Sequence, residues 1–208
     1  MKKAYNQPAN ACWQTYESKL ALQNLDAGKI VLVYGNGNAS QAHVLIEVLL
    51  SAYLEKDIRY AFLERTFRGK LFVPGAIFFN LSHTEKSFLI AFSTIQEIGI
   101  DLEYQIPRSS TIHELAEYAF SPNERNVLEK KTSEKTFLEI WTLKEAFLKA
   151  TGIGLIDSLS SLHVVSASGN SLLDSAYSSI TFSCPNGETG SLVCSGNLPS
   201  LSRMHILM

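Results

Sequence analysis

Two carboxylates in the segment EIGIDLE have a spacing that suits ligands for a hard cation. If this segment is a strand, its apolar residues share one face, and Asp101 and Glu103 share the other face with Gly99. Like charges on one face of a strand repel each other, and Mg²⁺ would remove that repulsion, because its usual ligands are carboxylates, waters and phosphate oxygens. On this interpretation Gly99 leaves space for a phosphate. A solvated strand face is the simpler interpretation of the pair taken alone.

The segment WTLKEAFLKATG places an aromatic ring, a carboxylate and an ammonium group on one side of a helix. Trp141, Glu145 and Lys149 follow one another at intervals of four residues, so their side chains share a face. An exposed pair of Glu and Lys explains the two charges, and such a pair contributes about 0.2–0.5 kcal/mol. It does not explain the tryptophan. The aromatic ring indicates a partly buried face, where a glutamate requires a partner or a metal.

A serine and a histidine, Ser82 and His83, lie in FNLSHTEKS, where we expect the tip of a hairpin. A hydroxyl, an imidazole and backbone N–H groups in such a turn can receive a phosphate. Ordinary turn chemistry is the simpler interpretation of these residues taken alone. No G-x-S-x-G elbow is present, which argues against a serine hydrolase. His43 and His163 lie in apolar patterns, and we expect both in the core.

Apolar periodicity and capping residues indicate the elements that must position these side chains. Helices are predicted over residues 41–54 with Ser40 as N-cap, in IHELAEYAF, from Pro122 with Ser121 and Glu124 as a capping box, and from residue 136 to the C-cap Gly152. Strands are predicted in KLFVP, AIFFNLS, SFLIAFS, EIGIDLE, SLHVVSA, SSITFSCP and GSLVCSG.

The order of these elements is similar in the two halves of the chain, each of which reads as helix, strand and hairpin. We therefore predict an α+β fold made of a pseudo-duplicated unit, in which each half packs a helix on a small, mostly antiparallel sheet. The expected halves are residues 1–100 and 101–208, with the active site in the cleft at their interface.

Composition excludes some classes of function. The chain has 208 residues, 46% of them hydrophobic, and a formal net charge of −2 without a Lys/Arg-rich run, so nucleic-acid binding is not expected. No apolar stretch is long enough to span a membrane, and the polar N-terminal sequence predicts a cytoplasmic protein. The three cysteines, Cys12, Cys184 and Cys194, do not have metal-site spacing, and buried free thiols are favoured over a bond between Cys184 and Cys194.

Four motifs in register carry a resemblance to a known family. FNLSH, GIDLE, FSPNE and WTLKEAFLKATGIGL, across residues 79–155, resemble the motifs of the surfactin-type 4'-phosphopantetheinyl transferases. The resemblance implies the pseudo-duplicated fold of that family. It also implies transfer of phosphopantetheine from coenzyme A to a serine of an acyl or peptidyl carrier protein, with Mg²⁺ bridging the pyrophosphate and adenosine 3',5'-bisphosphate as the second product.

The resemblance also implies roles for single residues. Asp101, Glu103 and Glu145 match the metal ligands, and Glu145 or another of these carboxylates would act as general base. Lys149 matches the lysine that meets the pyrophosphate, so the expected catalytic residues are Glu145, Lys149 and Asp101.

The residues expected to bind coenzyme A are Ser82, His83, Lys70 and Lys149. The segment YGNGNASQAHVLIEV lacks the Arg and Lys that family members use there for the 3'-phosphate, and Arg65, Arg68 and Lys70 are the cations that would compensate. Carrier proteins are acidic, so Arg125, Lys130, Lys131 and Lys135 form the candidate docking cluster.

Two other functions remain open from the residues. A carrier-protein or coenzyme A binding module without turnover would explain the missing basic residues, and a magnesium phosphohydrolase would use the same acids. The transferase is favoured, because a binding module has no need of three converging carboxylates and a phosphohydrolase does not explain the WTLKEA helix. A chain that builds its cleft internally is expected to act as a monomer.

Overall fold

The computed structural model describes residues 13–16, 28–54, 63–66, 69–74, 77–104, 110–131, 133–154, 159–166, 168–169, 173 and 176–206. Cys12 and Arg68 lie outside the described residues. The helices are α1 (Ala39–Leu54), α2 (Ser110–Ala119), α3 (Pro122–Lys131) and α4 (Glu134–Thr151). The strands are β1 (Gln14–Tyr16), β2 (Lys29–Asn36), β3 (Glu64–Arg65), β4 (Leu71–Phe72), β5 (Phe78–His83), β6 (Ser87–Ser93), β7 (Ile98–Glu103), β8 (Tyr177–Ser183), β9 (Thr189–Ser195) and β10 (Ser200–Ile206).

The larger sheet has the strand order β1-β10-β2-β6-β5. The first three of these strands run parallel to one another, whereas β2, β6 and β5 are antiparallel. The sheet is therefore mixed, and its strand β10 comes from the far end of the described chain. The predicted hairpin of β5 and β6 is confirmed, and the register pairs Ser82 with Leu89 and His83 with Phe88.

Strand β2 is buried on both faces and separates two parts of the core. Val31 and Val33 pack with Ile46 and Leu49 of α1, as the helix periodicity predicts. The alternate residues of β2 pack against the smaller sheet, which has the order β7-β9-β8 and is antiparallel. Helix α4 covers the other face of that smaller sheet. The layers thus run α1, larger sheet, smaller sheet, α4.

Two capping predictions have different outcomes. Helix α1 begins one residue before the predicted cap Ser40, because Asn38 caps it: the Gln41 amide donates to Asn38 Oδ1 over 3.1 Å, and the Asn38 amide donates to Gln41 Oε1 over 2.9 Å. The predicted end of α4 is confirmed, since Gly152 adopts a left-handed conformation with φ of 65°.

The predicted strand SLHVVSA is wrong. A 3₁₀ turn, Leu159–Ser161, ends on the first residue of the segment, and the described residues that follow form no strand, although Val165 makes a single β-bridge. The physical reason is a side-chain acceptor: the amides of Val164 and Val165 donate to Glu124 Oε1 over 2.8 and 3.3 Å instead of to a neighbouring strand.

The mixed α+β class is confirmed, whereas the pseudo-duplication and the division at residue 100 stay predictions. Cys184 and Cys194 are buried free thiols, as predicted. His163 is exposed rather than part of the core. Within the described ranges, no helix combines the length and the apolar character that a membrane span requires.

Candidate active site

Strands β5 and β7 lie side by side at the edges of the two sheets, and side chains of β5 join them. The Ile100 amide donates to Asn80 Oδ1 over 2.9 Å, and the Leu102 amide donates to Ser82 Oγ over 3.2 Å. Asn80 and Ser82 are two residues apart and therefore point to the same side of β5. The apolar residues of β7 face the core as predicted, so Asp101 faces away from it, beside Ser82.

Ser82, Asp101 and Lys149 form one hydrogen-bonded cluster at this seam. Ser82 Oγ donates to Asp101 Oδ1 over 2.9 Å, and Lys149 Nζ donates to the same oxygen over 2.6 Å and to Ser82 Oγ over 3.2 Å. Asp101 is only 4% exposed. Its second oxygen, Oδ2, is buried and has no hydrogen-bond partner among the residues that the structure describes.

Ser82 is not at the tip of the hairpin, where the sequence placed it. It is the last residue but one of β5, it is 6% exposed, and the turn begins only after His83. A serine hydroxyl has one proton to donate and two lone pairs, and these are used by Asp101, Leu102 and Lys149. Ser82 therefore orients Asp101 and Lys149, while His83 is exposed at the end of the strand.

Gly99 leaves room for a helix rather than for a phosphate. A β-carbon at this position would lie 2.1 Å from the carbonyl oxygen of Ala146 and 2.2 Å from the amide nitrogen of Ala150. The prediction of a phosphate beside Gly99 is therefore wrong. The close approach brings α4 against β7, so that Glu145 and Lys149 on the helix reach the acidic residues of the strand.

The carboxylates of this site influence one another electrostatically. Burial raises the pKa of Glu103 to about 7, and the negative charges of Asp101 and Glu145 add to this rise, whereas Lys149 and a hydrogen bond with Trp141 oppose it. Burial also raises the pKa of Glu145, again with a contribution from Asp101 and opposed by Lys149. Trp141 thus belongs to the site, as its position on the predicted helix face indicated.

A cleft of about 470 Å³ opens beside this cluster. Its walls include four of the residues predicted to act in the site, Lys70, His83, Glu145 and Lys149. Lys70 donates to Glu97 Oε2 over 2.6 Å and to the Ile98 carbonyl over 3.2 Å, which fixes the lysine beside β7. Sequence reasoning assigned His43 to the core, but this histidine also lines the cleft, together with Arg65.

The acidic residues are chemically suited to a divalent cation, but in this structure their side chains are not arranged around a common metal position. In the described part of the chain, no group of three or more His, Cys, Asp or Glu side chains is arranged to hold a metal ion. Asp101 is paired with Lys149 instead. The chemistry of the set nevertheless suits a hard cation, because Asp101 has a buried oxygen without a partner, and Glu103 and Glu145 each have a pKa raised by burial and by neighbouring carboxylates.

A buried ion pair behind α4 was not predicted. Glu124 and Lys144 are 0% and 1% exposed, and Lys144 Nζ lies 2.8 Å from Glu124 Oε2. The predicted capping box is confirmed, since Glu124 Oε2 also accepts from the Ser121 amide over 2.8 Å. Lys144 donates further to the carbonyls of Leu159 and Leu162. The pair joins α3, α4 and the segment after α4, directly next to Glu145 in sequence.

Comparison with known proteins identifies the region that contains these elements. Residues 97–189 match the family model described as the 4'-phosphopantetheinyl transferase superfamily. This region of the chain is therefore similar to that superfamily. It includes β7, α3 and α4, so three of the four motifs that carried the resemblance lie within it.

Individual phosphopantetheinyl transferases are similar over part of the chain. The 4'-phosphopantetheinyl transferase HetI of Nostoc sp. is 42% identical over 90 residues, which cover 42% of this chain and 38% of that protein. The 4'-phosphopantetheinyl transferase gsp of Aneurinibacillus migulanus is 32% identical over 139 residues, or 63% and 56% of the two chains. The enzyme Sfp of Bacillus subtilis is 35% identical over 129 residues, or 58% and 54%. The chain thus spans roughly a third to a little over half of the relatives it matches.

Proposed function

We propose that this protein transfers the 4'-phosphopantetheine group of coenzyme A to a serine hydroxyl of an apo carrier protein. The observation that carries the proposal is the convergence of Asp101, Glu103, Glu145 and Lys149 beside a cleft of about 470 Å³, within the region that matches the superfamily. The named relatives support the same activity.

Coenzyme A is the donor in this proposal, and Mg²⁺ would be held by Asp101, Glu103 and Glu145. The cation would supply charge neutralisation at the pyrophosphate as it is cleaved. Lys149 lies at the wall of the same cleft and contributes a second positive charge to the developing anion. Lys70 and His83, on the walls of the cleft, contact the phosphates of the donor, and Ser82 holds Asp101 and Lys149 in place.

Glu145 is the general base in this proposal. Its side chain lines the cleft, whereas Asp101 is buried behind Lys149, so an incoming hydroxyl meets Glu145 first. A carboxylate within reach of the incoming hydroxyl can accept the serine proton. The serine oxygen forms a bond to the phosphorus that carries pantetheine, the bond from that phosphorus to the bridging oxygen breaks, and adenosine 3',5'-bisphosphate leaves with the electron pair.

The deciding experiment incubates the protein with coenzyme A, Mg²⁺ and a panel of apo acyl and peptidyl carrier proteins. Mass spectrometry should show the phosphopantetheine mass increment on a carrier, and the increment should be absent when EDTA replaces Mg²⁺. If no carrier is modified while a known transferase modifies the same panel, the proposed function is wrong.

Variants of α4 test the assignment of the base. Glu145→Gln keeps the shape of the side chain but cannot accept a proton, and we expect transfer to slow by about 100-fold or more. Glu139→Gln on the same helix is the matched control, because its side chain is 40% exposed and it is not among the residues that line the cleft. Equal loss of activity in both variants would remove Glu145 from the reaction.

A further inference from the structure

The ammonium group of Lys149 lies between a buried carboxylate and the open cleft. Its Nζ is 2.6 Å from Asp101 Oδ1, and the side chains of the two residues are 31% and 6% exposed, respectively. Lys149 also lines the cleft. The group can therefore pair with Asp101 or turn to an anion in the cleft by rotation of its flexible side chain, without movement of α4.

Asp101 requires a cation whether or not a ligand is present. The residue as a whole is 4% exposed, and a buried charge without compensation is costly. Among the described residues, its neutral hydrogen-bond donor is Ser82, which serves Oδ1 and leaves Oδ2 without a partner. The compensating charge comes from Lys149.

We propose that Lys149 takes the place of the divalent cation at Asp101, so that metal and a phosphate-bearing donor bind cooperatively. The inference rests on the proposed function in one respect, because it takes the pyrophosphate of the donor as the anion that receives Lys149. Without the donor, a metal ion would have to displace the Lys149 ammonium group from Asp101. The ammonium group would then have no anion to pair with and would remain close to the metal ion. When the donor is present, its phosphate draws Lys149 away and leaves Asp101 to the metal.

The size of the effect follows from linkage. If the donor raises the affinity for metal by a given factor, the metal raises the affinity for the donor by the same factor, and such factors are usually about 5–150. The donor-free protein should therefore bind metal weakly, and removal of the Lys149 charge should release part of that affinity without any donor.

The test measures Mn²⁺ binding to the donor-free protein by calorimetry and by electron paramagnetic resonance. Lys149→Met should bind Mn²⁺ more tightly than the wild type by at most the coupling factor of about 5–150, whereas Lys149→Arg, which keeps a cation, should show no gain. Lys135→Met is the matched control: it removes the same charge from the same helix at a side chain that is 73% exposed. Lys135 lies about 21 Å from Lys149 along the helix axis, which is more than the Debye length of about 8 Å at physiological ionic strength. The Mn²⁺ affinity of Lys135→Met should therefore stay within about twofold of that of the wild type.

A crystallographic measurement on the wild type tests the exchange of partners without any substitution. With Mn²⁺ and coenzyme A bound, Lys149 Nζ should have left Asp101 Oδ1 and should contact a phosphate oxygen. Unchanged or weaker Mn²⁺ binding in Lys149→Met would overturn the inference, as would a complex in which Lys149 still contacts Asp101.

The result can be separated from the proposed function by assaying transfer on the same preparations. Suppose that Lys149→Met binds Mn²⁺ more tightly but the wild type transfers phosphopantetheine to no carrier. The proposed function would then be wrong, and the inference that Lys149 and the metal ion compete for Asp101 would stand. Transfer by the wild type with no gain of Mn²⁺ affinity in the variant would retain the function and reject the competition.

Discussion

Gly99 and Ala146 are in contact through the backbone of the helix, with no space for a side chain between β7 and α4. A β-carbon on Gly99 would lie 2.1 Å from the carbonyl oxygen of Ala146. Two elements that carry acidic residues thereby come together, with Asp101 on the strand and Glu145 on the helix. The short distance between β7 and α4 therefore depends on the absence of a β-carbon at Gly99.

Gly99→Ala should therefore lower both stability and activity. Overpacking against backbone atoms is expected to cost roughly 1–3 kcal/mol of the free energy of unfolding, measured by urea denaturation. Transfer should fall further than the loss of folded protein explains, because the acidic residues move apart. Gly187→Ala is the comparison: it meets no atom within 4 Å but has a φ of 91°, and it is not among the residues that line the cleft, so it should lose stability with little change in the activity of the folded fraction. If Gly99→Ala is as active as the wild type, the tight contact does not matter for the site.

The ion pair of Glu124 and Lys144 should show strong coupling. Lys144→Met leaves a buried carboxylate without its cation, which typically costs about 3–5 kcal/mol. The double variant Glu124→Gln/Lys144→Met should be more stable than the sum of the two single effects predicts, because neither charge is then left alone. Urea denaturation of the four proteins measures the coupling, and simple additivity would show that the two side chains do not stabilise each other.

Glu103 should make stability depend on pH. Its pKa is raised by burial, with the charge of Asp101 adding to the rise, from 4.5 in the unfolded chain to about 7 in the folded protein. Below pH 4.5 both states hold the proton; between these values only the folded state holds it, so the free energy of unfolding falls as pH rises through this window. Glu103→Gln removes this titrating group. The difference between the urea midpoints of the variant and the wild type should therefore shift in favour of the variant as pH rises from about 5 to 7.5. Midpoints that differ by a constant amount at every pH would contradict the raised pKa.

We expect the basic end of α3 to be the docking surface for an acidic carrier. Lys130 and Lys131 are both exposed in its last turn. Lys131→Glu should raise the KM for the carrier several-fold at low ionic strength, and the difference should shrink as salt is added. Lys29→Glu is the control, because it reverses a charge on strand β2 of the larger sheet, away from α3. Equal effects of the two variants, or no dependence on salt, would place the carrier elsewhere.

The faces of the site could be predicted because they depend on local geometry. Alternation along β7 places Asp101 opposite the core, and a spacing of four residues aligns Trp141, Glu145 and Lys149 on α4 whatever the rest of the chain does. The capping box at Ser121 and the C-cap at Gly152 are local in the same way, and both are confirmed.

Contacts between distant parts of the chain could not be predicted in this way. Nothing near Lys144 in the sequence shows that its partner is Glu124, and the carboxylate that draws the amides of Val164 and Val165 away from a strand lies about 40 residues earlier. The same reason applies to Ser82, whose burial depends on the meeting of β5 and β7. Strands β2 and β10 were not predicted, and their parallel pairing joins opposite ends of the described chain.

The position of β10 has a consequence for the order in which the molecule forms. This strand lies between β1 and β2, although about 160 residues separate β2 from β10 in the chain. During synthesis on a ribosome, β2, β5 and β6 are therefore available for pairing early, whereas β1 has no paired neighbour in the larger sheet until β10 has emerged. The central strand of the smaller sheet, β9, directly precedes β10 in the chain, so we expect both sheets to be completed only when this last-made part of the described chain has emerged.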